Sequence, residues 1–282
     1  MAYLFFMNSN QRVREAIRER DSLVCVGLDV RPERIPAHIG GGTDAIFAFN
    51  RSIIEATAEF TLAYKPNLAY YEALGSAGWD ILRRTVDCVP SGILTIGDAK
   101  RGDIGTTAER YAMALFDIGF DFVTVSPYLG LDSIEPFIRD ESRGVFILCL
   151  TSNPSSQDFQ YLISDGKKLY QRVAEKAVEW NKGGNCGLVA GATHPEELAE
   201  IRSVAPDLPI LIPGIGAQGG DLDAAIINGT DQLGEMAIVN SSRGIIYASE
   251  GEDFAEAARG KAKELRDNIN SIRRSKQAAA GK

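Results

Sequence analysis

Apolar residues recur along this chain in short unbroken runs, separated by longer stretches whose apolar positions repeat every three to four residues. Runs of the first kind occupy 23–28, 62–64, 93–97, 122–125, 145–150, 187–190, 210–212 and 236–239. Continuous apolarity, as opposed to strict alternation, marks strands buried on both faces. The intervening stretches predict helices from Asn8 or Ser9 to Asp21, from Thr43 or Asp44 to Glu59, over 70–89 with a break near Gly75 and Gly78, and over 106–118, 133–139 and 167–182. A short helix opened by Pro195, another over 221–228 and a long polar one at the end complete the pattern. Helices that follow strands in this rhythm are the crossovers that parallel neighbours require. Eight such units in 282 residues predict an α/β fold, a TIM (β/α)8 barrel, over an open doubly wound sheet. With no linker or shift of composition, residues 1–274 read as a single barrel domain with an extra N-terminal helix, and 275–282 as a frayed tail.

Composition narrows the partners. Hydrophobic residues make up 45% and charged residues 24%, enough apolar material for a full core. The formal net charge of −8 argues against nucleic acid, although a few backbone N–H groups and one arginine are enough to hold a phosphorylated metabolite. Cys25, Cys88, Cys149 and Cys186 form no C-x-x-C pair and fall mostly in apolar runs, which points to a reducing cytoplasm and no disulfide framework. The opening residues 1–7 are apolar but too short for the core of a secretion signal, and no run approaches the ~18 residues of a membrane span.

In a barrel the chemistry sits where strands end, so polar residues after each run carry the functional signal. They are Asp29, Lys65, Asp98 with Lys100, Ser126, Thr151 with Ser152, Gly214 with Gly216, and 240–243. Asp98, Lys100 and nearby Asp103 taken alone read as a surface ion pair; placed on one face with Asp29 and Lys65 they read as a site. Period two puts Asp98 and Lys100 on the same side of their strand. Carboxylates around Lys100 favour its ammonium form, which suits a proton donor and disfavours a Schiff-base lysine. His38 and His194 lack metal-ligand spacing, and no G-x-S-x-G elbow is present, so neither a metal site nor a serine hydrolase is expected. Gly214-Ile-Gly216-Ala-Gln-Gly219 matches the dinucleotide pattern, with Glu235 about 20 residues on. That unit is the seventh, however, and Glu235 precedes its strand. A phosphate held by Gly214, Gly216, Gln218 and Arg243 fits the late loops of a barrel better.

The stretch Asp98-Ala99-Lys100-Arg101-Gly102-Asp103-Ile104-Gly105-Thr106-Thr107 closely resembles the signature of the orotidine 5′-monophosphate decarboxylase family. The likeness extends from Gly27-Leu28-Asp29 to Asn240-Ser241-Ser242-Arg243-Gly244 and is greatest to the longer bacterial branch. The resemblance implies a TIM-barrel homodimer with shared active sites. It would convert orotidine 5′-monophosphate to uridine 5′-monophosphate and carbon dioxide, the last step of de novo pyrimidine synthesis, with no metal and no organic cofactor. It also implies roles for single residues. Asp29 would bind a ribose hydroxyl, and Lys65 would join it in a charged network. Asp98 would lie beside the substrate carboxylate, and Lys100 would protonate C6. Asp103 and Thr107 would reach the neighbouring subunit's site, Ser152 would contact the pyrimidine, and Gln218 and Arg243 would grip the phosphate. Ser242 departs from the glycine that shorter members often carry, and insertions stand near 30–43 and 153–168. The rival expectations are a metal-dependent keto-sugar-phosphate decarboxylase or a pentose-phosphate epimerase on a related barrel, and a phosphate-binding barrel without chemistry.

Overall fold

The apolar runs pair in the order in which they occur. In the computed structural model, which describes residues 7–215 and 221–280, eight parallel strands close into a barrel. They are β1 (Val24–Gly27), β2 (Ala63–Lys65), β3 (Leu94–Arg101), β4 (Phe122–Val125), β5 (Gly144–Leu150), β6 (Cys186–Ala190), β7 (Ile210–Pro213) and β8 (Ala237–Ser241). The ring closes where β8 meets β1, with Val24 opposite Val239 and Cys25 opposite Asn240. Every residue of β1, β2, β4 and β6 is buried, which is why these segments read as unbroken apolar runs. Large rings fill the barrel: Phe122 and Phe146 lie with centroids 5.0 Å apart. Gly187 faces that pair, and a Cβ there would come within 2.7 Å of the Phe146 ring and of the Pro209 carbonyl.

The surrounding helices are α1 (Ser9–Arg20), α2 (Gly42–Thr57), α3 (Leu68–Glu72), α4 (Ser76–Asp87), α5 (Gly105–Phe116), α6 (Leu131–Ile138), α7 (Leu169–Trp180), α8 (Pro195–Val204), α9 (Leu222–Gly229), α10 (Arg243–Ile246) and α11 (Phe254–Ala280). No helix among the described residues is long and apolar enough to cross a membrane. The expected N-terminal helix is present as α1 and lies under the amino-terminal end of the barrel. An Asn8–Gln11 capping box starts it, and Val13 and Ile17 face the core. Its polar side reaches the starts of four strands. Arg12 pairs with Asp121 before β4 at 2.5 Å, the Ser9 amide donates to the Glu141 carbonyl before β5, and Asn10 Nδ2 donates to the Cys186 carbonyl of β6. Arg14 and Arg18 meet Glu235, which precedes β8, at 2.6 and 2.9 Å. Glu235 therefore anchors a helix at the end of the barrel opposite the strand carboxyl termini.

Two expectations about the later helices change. Residues 275–280 do not fray: α11 continues through Ala280. Lys276 Nζ donates to the carbonyls of Ile227 and Thr230 and to Thr230 Oγ1, and Gln277 donates to the Leu233 carbonyl, which ties that turn to the loop after α9. The helix expected to begin at Lys167 begins at Leu169, because residues 163–164 and 167–168 pair as a small antiparallel hairpin within the insertion.

Candidate active site

β1, β2 and β3 end beside one another, and Asp98 stands at the centre of what they carry. Its amide donates to the Pro66 carbonyl just past β2, which fixes its height at the barrel mouth. One carboxylate oxygen, Oδ2, accepts from Lys65 Nζ at 3.0 Å; the other, Oδ1, accepts from Lys100 Nζ at 2.5 Å and from the Thr124 hydroxyl at 3.0 Å. The Lys65 and Asp98 side chains are 5% and 11% exposed, whereas that of Lys100 is 49% exposed. Burial pushes the Asp98 carboxyl up, but the ammonium groups of Lys65 and Lys100 outweigh it and hold the group well below the usual carboxylate range. Burial pushes Lys65 down, and Asp98 and Asp29 together outweigh that and raise it above an ordinary lysine. A buried anion between two cations is thus fixed in its charged state, with one cation free to turn toward the mouth.

The backbone under Lys100 is unusual. Between Gly97 and Arg101 β3 advances four residues while β4 advances two, from Val123 to Val125, so the strand bulges where the charges stand. Lys100 takes φ +48°, a left-handed conformation that disfavours residues with a side chain. Thr124 Oγ1 accepts its N–H at 2.9 Å. Sequence reasoning passed over Thr124 because threonine is an ordinary strand residue. The available signal was a single hydroxyl in an otherwise apolar run.

The other expected residues fall into three groups. Asp29 follows β1 at the mouth, and its Oδ1 is buried with no hydrogen-bond partner among the described residues, an acceptor open to a donor from outside them. Ser242 Oγ donates to the Gly27 carbonyl at 3.0 Å and pins the end of β8 to the end of β1. A Cβ on Gly27 would lie 2.7 Å from that of Ser242, so this junction needs the glycine. Arg243 next to it is exposed and makes no ion pair among the described residues. Gly214 follows β7 with φ +99°; Gly216 and Gln218 lie outside the described residues. After β5, Gln160 from the insertion grips Thr151 twice: its Oε1 accepts the Thr151 N–H and its Nε2 donates to Thr151 Oγ1, both at 2.8 Å. Ser152 follows directly and packs against Gly191 at the end of β6. Asp103 and Thr107 form the third group and do not join the Lys65–Asp98–Lys100 chain. Asp103 Oδ1 accepts the Ile104 N–H at 2.8 Å, and Thr107 is exposed on the first turn of α5.

The family model described as "Orotidine 5'-phosphate decarboxylase / HUMPS family" matches residues 22–258, a span that holds every strand-end residue named above. The chain belongs to this family. Within it, the chain is 53% identical over 269 residues to an orotidine 5′-phosphate decarboxylase of Dehalococcoides mccartyi, covering 94% of this chain and 98% of that one. Among solved structures, the Leishmania donovani OMP decarboxylase is 40% identical with a TM-score of 0.84, over 95% of this chain and 99% of that one. The Leishmania donovani UMP synthase is 43% identical with a TM-score of 0.83, over 92% of this chain and 56% of the longer one. The matched spans run through both ends of the barrel.

Proposed function

We propose that this chain decarboxylates orotidine 5′-monophosphate to uridine 5′-monophosphate and carbon dioxide, the last step of pyrimidine synthesis, in the cytoplasm and without metal or organic cofactor. The observation that carries the reading is the Lys65–Asp98–Lys100 chain at the strand ends, with its anion held ionised and its outer ammonium half-exposed. Breaking the bond from C6 to the carboxylate leaves an electron pair on C6 that the ring delocalises poorly. The site must then lower the barrier by charge placement, within the roughly 8–23 kcal/mol that enzymes supply. Lys100 stabilises that developing carbanion and passes it a proton, forming the C6–H bond. Asp98, kept ionised, faces the departing carboxylate and disfavours the ground state. Asp29, whose Oδ1 has no hydrogen-bond partner among the described residues, binds a ribose hydroxyl, and Lys65 holds the Asp98 network together. Ser152 contacts the pyrimidine, and Gly214, Gly216, Gln218 and Arg243 hold the phosphate. That remote binding energy helps keep the site closed and dry.

Asp103 and Thr107 serve a second copy of the chain, in a homodimer with shared sites. The exposed apolar residues Ile104, Tyr128 and Leu129, next to Asp103 on the β3–α5 and β4–α6 connections, support a subunit contact there. The keto-sugar-phosphate reading needs a divalent cation beside Asp98, and the two ammonium groups already on its oxygens disfavour another positive charge. The test follows the loss of orotidine absorbance with purified protein. Wild type turns over in the presence of chelator, and Lys100→Ala loses about 10²–10⁴-fold in kcat. No turnover by wild type, or near-normal turnover by Lys100→Ala, overturns the assignment.

A further inference from the structure

β4 carries one polar side chain in an apolar strand. Phe122, Val123 and Val125 are fully buried, and Thr124 beside them is 1% exposed. A hydroxyl taken that far from water is costly unless both its hydrogen and a lone pair find partners. Here the partners are the two halves of the reacting pair. An amide N–H can only donate, so the bond from Lys100 N at 2.9 Å uses a lone pair of Thr124 Oγ1. The Thr124 hydrogen then points to Asp98 Oδ1 at 3.0 Å.

We propose that Thr124 is a positioning residue for the decarboxylation, holding the Asp98 carboxylate and the left-handed Lys100 backbone to one another through a single hydroxyl. The inference rests on the reading of Asp98 and Lys100 as the reacting groups. Lys65, Lys100 and Thr124 all donate to Asp98, and Lys100 shares Oδ1 with Thr124. Lys100 is also the group that must turn away to protonate carbon. When it does, Oδ1 keeps only the Thr124 hydrogen bond, which stops the carboxylate from rotating after the departing ammonium. Thr124 Oγ1 itself accepts the Lys100 amide hydrogen, so the backbone stays in a conformation it would otherwise leave. One residue on a neighbouring strand thus lets the ammonium move while its counter-charge and its own main chain stay still.

Valine matches threonine in shape and lacks the hydroxyl; serine keeps the hydroxyl and lacks the methyl. Thr124→Val is expected to lower kcat about 10- to 100-fold, the worth of a hydrogen bond to a charged group. KM is expected to change by less than about threefold, because the loss falls on the reacting geometry and spares the binding contacts. Thr124→Ser stays within about threefold of wild type in both parameters. Should the valine variant not fold, Thr124→Ala read against Thr124→Ser carries the same comparison. Lys100→Ala is measured alongside. A Thr124→Val kcat within about threefold of wild type, with Lys100→Ala inactive, overturns the positioning role alone. Equal losses in the valine and serine variants overturn it too, since packing would then be the cause. Activity retained by Lys100→Ala defeats the catalytic reading itself, and the role of Thr124 with it.

Discussion

Asp98 is worth more to the fold than its single charge implies, because it is the counter-ion of a lysine almost out of reach of water. Replacing it by asparagine leaves buried Lys65 without the carboxylate it pairs with, Asp29 being the charge that remains nearby, and the expected cost at neutral pH is about 3 kcal/mol. The pH dependence has a definite sign. Asp98 lies below its ordinary value in the fold, so its contribution is complete above about pH 4, the ordinary carboxylate value. As pH falls further the unfolded chain binds a proton that the folded chain refuses, and the advantage is lost through the folded value. Lys65 is raised, so its share is complete below about pH 10.4 and is lost only as pH rises through its folded value. Urea unfolding of wild type and Asp98→Asn from acid to alkaline pH checks this: the gap between them is level at neutral pH and narrows on the acid side. The charged residues were legible in the sequence because each follows an apolar run, where an unpaired charge has no structural excuse. Thr124 was not, since nothing in its type distinguishes a hydroxyl that organises a site from one that fills a strand.

Strands showed more plainly than their ends. Apolar continuity placed all eight, yet β3 was expected to stop at Gly97 and runs to Arg101, carrying Asp98 and Lys100 inside the sheet. The reason is the bulge: the strand stays paired at Arg101 by absorbing extra residues, a feature that periodicity cannot express. The hairpin of residues 163–168 escaped for a related reason, being too short to show any period. Glu235 teaches the converse. Its spacing from the glycine run imitates a ribose ligand, while in the fold it holds Arg14 and Arg18 of α1 at the opposite end of the barrel. Glu235→Gln is therefore expected to cost about 1 kcal/mol, a figure kept small because both arginines are partly exposed and screened. Thermal unfolding should register that loss, and kcat for decarboxylation should stay within about twofold of wild type.

At the scale of the whole molecule the two ends of the barrel divide the labour, with chemistry where the strands finish and fastening where they begin. The chemical end is incomplete in one chain if Asp103 and Thr107 serve a partner, and mixing two dead proteins tests it. Equal amounts of Lys100→Ala and Asp103→Ala, allowed to exchange subunits, should recover about a quarter of wild-type activity, since half the dimers are hybrids and each hybrid has one intact site. No recovery despite demonstrated exchange would rule out the shared site. The fastening end has a consequence in time. A 12-residue helix is marginal in water by itself. The partners that hold α1 lie between 109 residues (Arg12 to Asp121) and 221 residues (Arg14 to Glu235) farther along the chain. On a growing polypeptide α1 is made before any strand of the barrel, and its ion pairs to Glu235 wait until the start of β8 has been made. A helix made before the first strand is thus fully fastened only after seven strands have followed it.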